Sequence, residues 1–145
     1  MAILDTSLIL SNAQAITTTA YSENVIDLGT PDTWNARSGQ ARELPINLDI
    51  TEDFDASGGA TLTIVVLSGT SATAGSGTVT THYSSSAIPK ASLLAAASLN
   101  ALFRLFVPHD ARRYLYLQYV VATGPMTAGK ITATAATAVR RNIPV

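Results

Sequence analysis

The sequence predicts an all-β protein folded as a single antiparallel sandwich. Short apolar runs recur along its 145 residues between turns rich in Gly, Pro, Asn and Ser, and this spacing is typical of sandwiches and barrels. Within the runs, apolar and polar residues alternate, which gives each strand one face toward a core. Leu48 and Ile50 alternate in this way with Asn47 and Asp49. We expect one domain over residues 1–145, because this length is sufficient for one core.

The alternation and the turn residues define the individual strands. In chain order they are predicted at 8–10 and 13–18 (one strand broken near Asn12), 23–28, 44–52, 60–68, 78–83, 99–107, 113–121 and 130–139. The strand at 113–121 is dense in aromatic and β-branched residues, which suit a pleated surface. We expect it to fold back on 99–107 as the central hairpin, because Pro108 and Asp110 between them suit a tight turn.

One stretch departs from the strand pattern. Residues 91–97 are rich in Ala and Leu, which have high helix propensity, and Pro89 suits the start of a helix. The sequence therefore predicts at most one short helix, near residues 90–97.

Composition excludes several function classes. A net charge of −1 and a pI near 6.0 disfavour a general nucleic-acid binder. The absence of cysteine excludes a disulfide framework and fits folding in a reducing cytosol, and no apolar stretch has the length of a membrane span. Only 13% of the residues are charged, against a typical value of about 25%. The surface is either coated with Ser and Thr or covered by partners, and we favour partners.

The sequence offers little to catalysis. Asp53 opens a stretch that begins like a calcium loop, but the twelfth position, which needs a carboxylate, is Ile64. His82 and His109 have no further ligands at metal-binding spacing, and no nucleophile elbow or phosphate loop occurs. We therefore expect no enzyme, no catalytic residue, no metal and no cofactor. A hydrolase would need carboxylates such as Asp49, Glu52, Asp53 and Asp55 to be brought together by folding, whereas we expect them on a polar rim.

Two segments are candidates for contacts with partners. The long connection at 29–43 carries Trp34, Arg37 and Arg42, and Trp and Arg are enriched at binding hot spots. Trp34 either plugs one end of the core or anchors another molecule. The short basic tail at 140–145, with Arg140 and Arg141, is either frayed or docked on an acidic neighbour.

Four blocks carry a resemblance to a known family. They are residues 24–29, 50–66, 88–89 and 112–135, and the most specific pattern is R-Y-L-x-L-x-Y followed by T-A-G-x-I-T-A. In these blocks the chain resembles the jelly-roll capsid cement (decoration) proteins of tailed bacteriophages, the family typified by a Bordetella podovirus.

The resemblance implies a jelly-roll sandwich on the outer surface of an icosahedral virion. Such a protein would bridge neighbouring major capsid proteins, associate with itself as a homodimer or homotrimer, and contact neither nucleic acid nor membrane. The alternative is a carbohydrate- or receptor-binding sandwich of a virion, because Tyr114, Tyr116 and Tyr119 would suit stacking on sugars.

Overall fold

The computed structural model describes residues 9–27, 46–95 and 112–135. These residues form nine strands and one 3-10 turn: β1 (Ile9–Ala15), β2 (Ala20–Tyr21), β3 (Ile26–Asp27), β4 (Ile46–Asp55), β5 (Thr61–Gly69), β6 (Val79–Ser84), β7 (Ile88–Pro89), the turn Lys90–Ser92, β8 (Tyr114–Ala122) and β9 (Ala128–Ala135). No α-helix occurs in these three ranges.

The strands form two antiparallel sheets packed face to face. A three-stranded sheet has the order β1-β9-β4, and a six-stranded sheet has the order β2-β8-β5-β6, with β3 beside β8 and β7 beside β5. The core between them is built from inward-facing side chains of both sheets, among them Leu10, Ile46, Leu48, Ile50, Phe54, Leu62, Ile64, Val66, Leu115, Leu117, Tyr119 and Ile131. The predicted all-β sandwich is thereby confirmed.

The face assignments of the long strands are also confirmed. In β4, Ile46, Leu48 and Ile50 are buried while Asp49 and Thr51 are exposed, and the strand runs on to Asp55 beyond its predicted end. The predicted break in the first strand is present, because the register of β1 against β9 shifts between Ser11 and Gln14. Ala13 there has a φ of 45°.

The strand predicted at 113–121 is present as β8, and the described strands that pair with it are β5, β2 and β3. One edge of β8 pairs with β5 along its whole length, and the other edge pairs with β2 and β3. Both edges of β8 are thus occupied by other described strands. Residues 99–107 themselves lie outside the described residues.

The strand predicted at 23–28 is reduced to the two residues of β3. Just before it, Ser22 N–H donates to the carbonyl of Leu117 in one sheet (2.9 Å), and Asn24 N–H donates to the carbonyl of Leu10 in the other (2.9 Å). Because this segment crosses from sheet to sheet, its backbone cannot pair continuously with one neighbour.

The predicted short helix is a single 3-10 turn, Lys90–Ser92, which ends at Leu93. Leu93 is fully buried, and its carbonyl accepts a hydrogen bond from the Phe54 N–H at 3.0 Å. The turn is thus tied to β4. The connections 28–45 and 96–111 lie outside the described residues, so the jelly-roll order of strands and the single domain over 1–145 stay predictions.

Candidate interaction surface

The residues predicted to contact partners are not among those described. Trp34, Arg37, Arg42, Arg140 and Arg141 fall within 28–45 and 136–145. Their roles stay predictions. The surfaces that the structure describes are the outer faces of the two sheets and the ends of their strands.

The six-stranded sheet has an apolar cluster on the face that points away from the core. Leu67 and Tyr116 are paired across β5 and β8 and are 5% and 0% exposed, although their strand neighbours Val66 and Leu117 point into the core. The ring of Tyr21 meets that of Tyr116 edge-on, with ring centroids 5.8 Å apart, a favourable aromatic arrangement. We call Tyr21, Leu67 and Tyr116 the outer cluster.

The loop at 70–78, between β5 and β6, lies against the outer cluster. A Cβ at Gly75 would stand 2.7 Å from the Tyr21 ring, and one at Gly69 would stand 3.1 Å from the Tyr116 hydroxyl. Gly75 also has a φ of +80°, which side-chain-bearing residues rarely adopt. The loop therefore approaches Tyr21 closely because position 75 is glycine, and the end of β5 approaches Tyr116 closely because position 69 is glycine.

The same face continues as an open strip beyond the cluster. Its outward positions on β5 and β8 are Thr61, Thr63, Val65, Gln118 and Val120, all partly buried. We call these five residues the β5–β8 strip. The strip carries no charged side chain, and its small apolar and hydroxyl groups suit contact with another protein surface more than with an ionic ligand.

The tyrosines that suggested a sugar-binding face are mostly inaccessible. Tyr116 and Tyr119 are both 0% exposed. Tyr114 is partly exposed, with the Arg113 guanidinium 5.1 Å from its ring centroid. Two of the three rings cannot stack on a sugar in this structure, so Tyr114 is the one accessible ring of the three that suggested the carbohydrate-binding alternative.

Tyr119 instead joins the two sheets. Its hydroxyl lies 2.9 Å from Ser11 Oγ, which itself donates to Gln14 Oε1 at 2.8 Å. Because the serine proton is used in that second bond, Tyr119 donates to Ser11. Burial raises the pKa of Tyr119 above its ordinary value, so the phenol stays protonated and serves as a structural donor.

The carboxylates of β4 face solvent and have structural partners. Asp53 Oδ1 accepts the Ala95 N–H at 2.6 Å, and Asp55 Oδ1 accepts the Ala56 N–H at 2.8 Å. Asp49, Asp53 and Asp55 are all exposed. Over the described ranges, no three His, Cys, Asp or Glu residues are grouped so as to hold a metal ion. The geometry favours the predicted polar rim over a hydrolase site or a calcium loop.

Two ion pairs lie within the last four residues of β4. Lys130 Nζ of β9 lies 2.8 Å from Glu52 Oε2, and Lys90 Nζ lies 3.2 Å from Asp55 Oδ1. The hydrogen bond from Lys130 lowers the pKa of Glu52. The Ala56 N–H, and after it Lys90, lowers the pKa of Asp55.

The basic pair at 112–113 is tied into the fold. Arg113 donates twice to the Asp27 carboxylate, with both distances 2.9 Å, and this bond raises the pKa of Arg113. The Arg113–Asp27 ion pair joins β3 to the start of β8. Arg112 Nε donates to Thr80 Oγ1 at 2.9 Å.

A buried serine contact was not foreseen from the sequence. Ser68 Oγ lies 2.6 Å from His82 Nε2 and accepts the Arg112 N–H at 2.9 Å. Ser68 is 0% exposed, so a substrate has no access to its hydroxyl, and the contact holds β6 and the start of β8 to β5. The separation of residues 68, 82 and 112 along the chain gave no local motif that predicted it.

Across the three described ranges, no helix is long and apolar enough to cross a membrane. A family model described as Bbp16, a phage protein family, matches residues 10–135. The match runs from β1 to the end of β9 and includes all four blocks that carried the resemblance. No curated protein matches the sequence.

Proposed function

Because the chain belongs to the Bbp16 family of phage proteins, we propose that it is a structural virion protein that binds the outer surface of a tailed-phage capsid and stabilises it. The observation that carries this proposal is the family match over residues 10–135, which covers both sheets of the sandwich. In this role the chain bridges neighbouring major capsid proteins and performs no chemistry.

The sandwich is suited to transmitting force between neighbours. The Tyr119–Ser11 bond ties the two sheets through the core, and the Arg113–Asp27 pair fixes a short edge strand to β8. Both contacts hold together parts of the sandwich that are far apart in the chain. Stable contacts of this kind bury about 1,200–2,000 Å² each, and repetition over a shell raises the effective concentration of every contact.

Two kinds of surface support contacts with the shell or with sister subunits. The first is proposed from residue type alone and comprises Trp34, Arg37, Arg42 and the basic tail with Arg140 and Arg141, since Trp and Arg are suited to anchoring. The second is the uncharged β5–β8 strip. The low charge of the whole chain, 13% of residues, fits a subunit whose surface is partly covered in its assembly, either as a homodimer or as a homotrimer.

The test is binding to expanded capsid shells that lack the chain. Purified protein is mixed with shells, the shells are sedimented, and the bound amount and the temperature of shell disruption are measured. We expect saturable binding at a fixed ratio to the major capsid protein and a higher disruption temperature. An unrelated β-sandwich of similar size and charge controls for non-specific adhesion. Failure to bind shells, by a chain that stays monomeric, would contradict the proposal.

A further inference from the structure

Two fully buried tyrosines of β8 differ in how their hydroxyls are satisfied. The hydroxyl of Tyr119, on the core side, is bonded to Ser11. The hydroxyl of Tyr116, on the outer side, is buried and has no hydrogen-bond partner in the part of the chain that the structure describes. A buried polar group without a partner costs free energy. The arrangement that buries Tyr116 is thus less favourable than its packing alone suggests.

The loop at 70–78 passes close to the side of the sheet that carries this hydroxyl. Gly75 lies against the Tyr21 ring, which in turn lies edge-on to Tyr116. The Tyr116 hydroxyl and the Ser76 carbonyl lie 3.1 and 3.7 Å from one point, the position of a Cβ on Gly69. These contacts are made by aromatic rings and backbone atoms, so the position of the loop depends on close packing.

Among the described residues, the hydrogen bonds of the loop stay within the loop. Its base is closed by Thr70 N–H to the Thr78 carbonyl (3.2 Å) and by Thr78 N–H to Thr70 Oγ1 (3.1 Å). Inside it, Ser76 N–H donates to the Thr73 carbonyl, and Thr73 N–H donates to Ser71 Oγ. No hydrogen bond connects residues 71–77 to the rest of the described chain, so the loop can lift from the sheet without breaking one.

We propose that the loop at 70–78 is a cover that swings about its Thr70–Thr78 base while both sheets stay folded, exposing Tyr116 and the inner side of the Tyr21 ring. In the open state the Tyr116 hydroxyl forms hydrogen bonds with water. This offsets part of the free energy that is lost with the packing contacts. Gly75 and Gly77, with φ of +80° and +73°, supply the backbone freedom within the moving segment. Opening is therefore a local event, separate from unfolding of the core.

The test is nitration of the unmodified protein with tetranitromethane, with the modified tyrosines located by mass spectrometry. Reaction at a buried ring proceeds through states that expose it. Tyr119 reports global unfolding and is the internal control, because both rings are 0% exposed. We expect Tyr116 to react faster than Tyr119 without denaturant, at a rate insensitive to low urea, while the Tyr119 rate rises with urea. Equal rates with the same urea dependence would overturn the proposal.

Glycine variants provide a second measurement. Gly75→Ala places a methyl group into the Tyr21 ring and strains the backbone. We expect it to raise the Tyr116 rate at least about tenfold, because left-handed geometry alone costs an L-residue about that factor, and to leave the Tyr119 rate unchanged. Gly58→Ala is the matched control, since its Cβ meets nothing within 4 Å. An unchanged Tyr116 rate in Gly75→Ala, or a matching rise in the Tyr119 rate, would contradict a cover that moves by itself.

Discussion

At the scale of single residues, a side chain's position on its strand determines the face it occupies, and distant segments determine its surroundings. Tyr116 and Tyr119 are three residues apart on β8 and point to opposite sides of the sheet, as alternation predicts. The sequence did not predict that Tyr116 would be buried on the outer side, where the ring of Tyr21 lies edge-on to it and Gly69 leaves room for its hydroxyl. Nor did it predict the contact of Ser68 with His82 and Arg112, which depends on three separate strands or strand ends.

Removing the two tyrosine hydroxyls separately tests their different surroundings. Tyr119→Phe removes a buried bond to Ser11, and we expect it to lower the free energy of unfolding by about 1 kcal/mol. Tyr116→Phe removes a hydroxyl that has no partner within the described chain, so we expect no loss or a small gain in stability. Urea unfolding of the two variants measures both. A larger loss from Tyr116→Phe than from Tyr119→Phe would contradict the hydrogen-bond assignment.

Gly129 is the position where a side chain is least tolerable. It has a φ of +136°, and a Cβ there would overlap the ring of Phe54 in the core. We expect Gly129→Ala to destabilise the fold by about 2–4 kcal/mol, the sum of backbone strain and overpacking. The control is Gly124→Ala, where φ is +97° but the space is open, so that only the strain acts. If the two variants are equally stable in thermal unfolding, the contact with Phe54 contributes nothing.

At the scale of elements, sequence patterning predicted strands and their faces better than their partners. The alternation of β4 and β5 was sufficient to place Ile46, Leu48 and Ile64 in the core. It could not show that β8 pairs with β5, because period-two patterning fixes which side a residue faces and does not determine which strand lies beside it. The length of the short strand β3 was overestimated for a related reason, because Ser22 and Asn24, just before it, bond to different sheets.

The ion pairs at the end of β4 predict a loss of stability in acid. The folded pKa of Glu52 and of Asp55 lies below the ordinary values of 4.5 and 3.8. The stabilisation is therefore complete above those ordinary values and is lost as the pH falls through the folded pKa values. We expect the urea midpoint to fall between pH 5 and pH 3. The double variant Glu52→Gln, Asp55→Asn should show a smaller fall, and an unchanged acid profile would contradict the role of these pairs.

At the scale of the whole molecule, the family match and the composition both support the proposed role as a structural virion protein. The chain belongs to a phage family over residues 10–135, and its 13% of charged residues is low for a protein that works fully surrounded by water. The predicted contact residues lie outside the described ranges, so sequence reasoning about them rests on residue type alone.

The variant Trp34→Ala distinguishes the two interpretations of Trp34 in the 29–43 connection, an anchor to another molecule or a plug at one end of the core. If Trp34 anchors the chain to a shell or a sister subunit, Trp34→Ala should weaken shell binding at least about tenfold, as hot-spot truncations do, while the melting temperature of the isolated chain changes little. Leu117→Ala, at a fully buried core position, is the control. In this variant we expect the melting temperature to fall, and any loss of shell binding to follow from that loss of stability. If the losses of binding and of melting temperature in Trp34→Ala track each other, Trp34 belongs to the core.

The most direct measurement is electron cryomicroscopy of the phage particle that carries this chain. We expect density for a two-sheet sandwich on the outer surface of the icosahedral shell, in contact with at least two major capsid proteins and repeated by the shell symmetry. Density for the chain in the tail alone, or a shell surface bare of it in particles that contain it, would contradict the proposed capsid role.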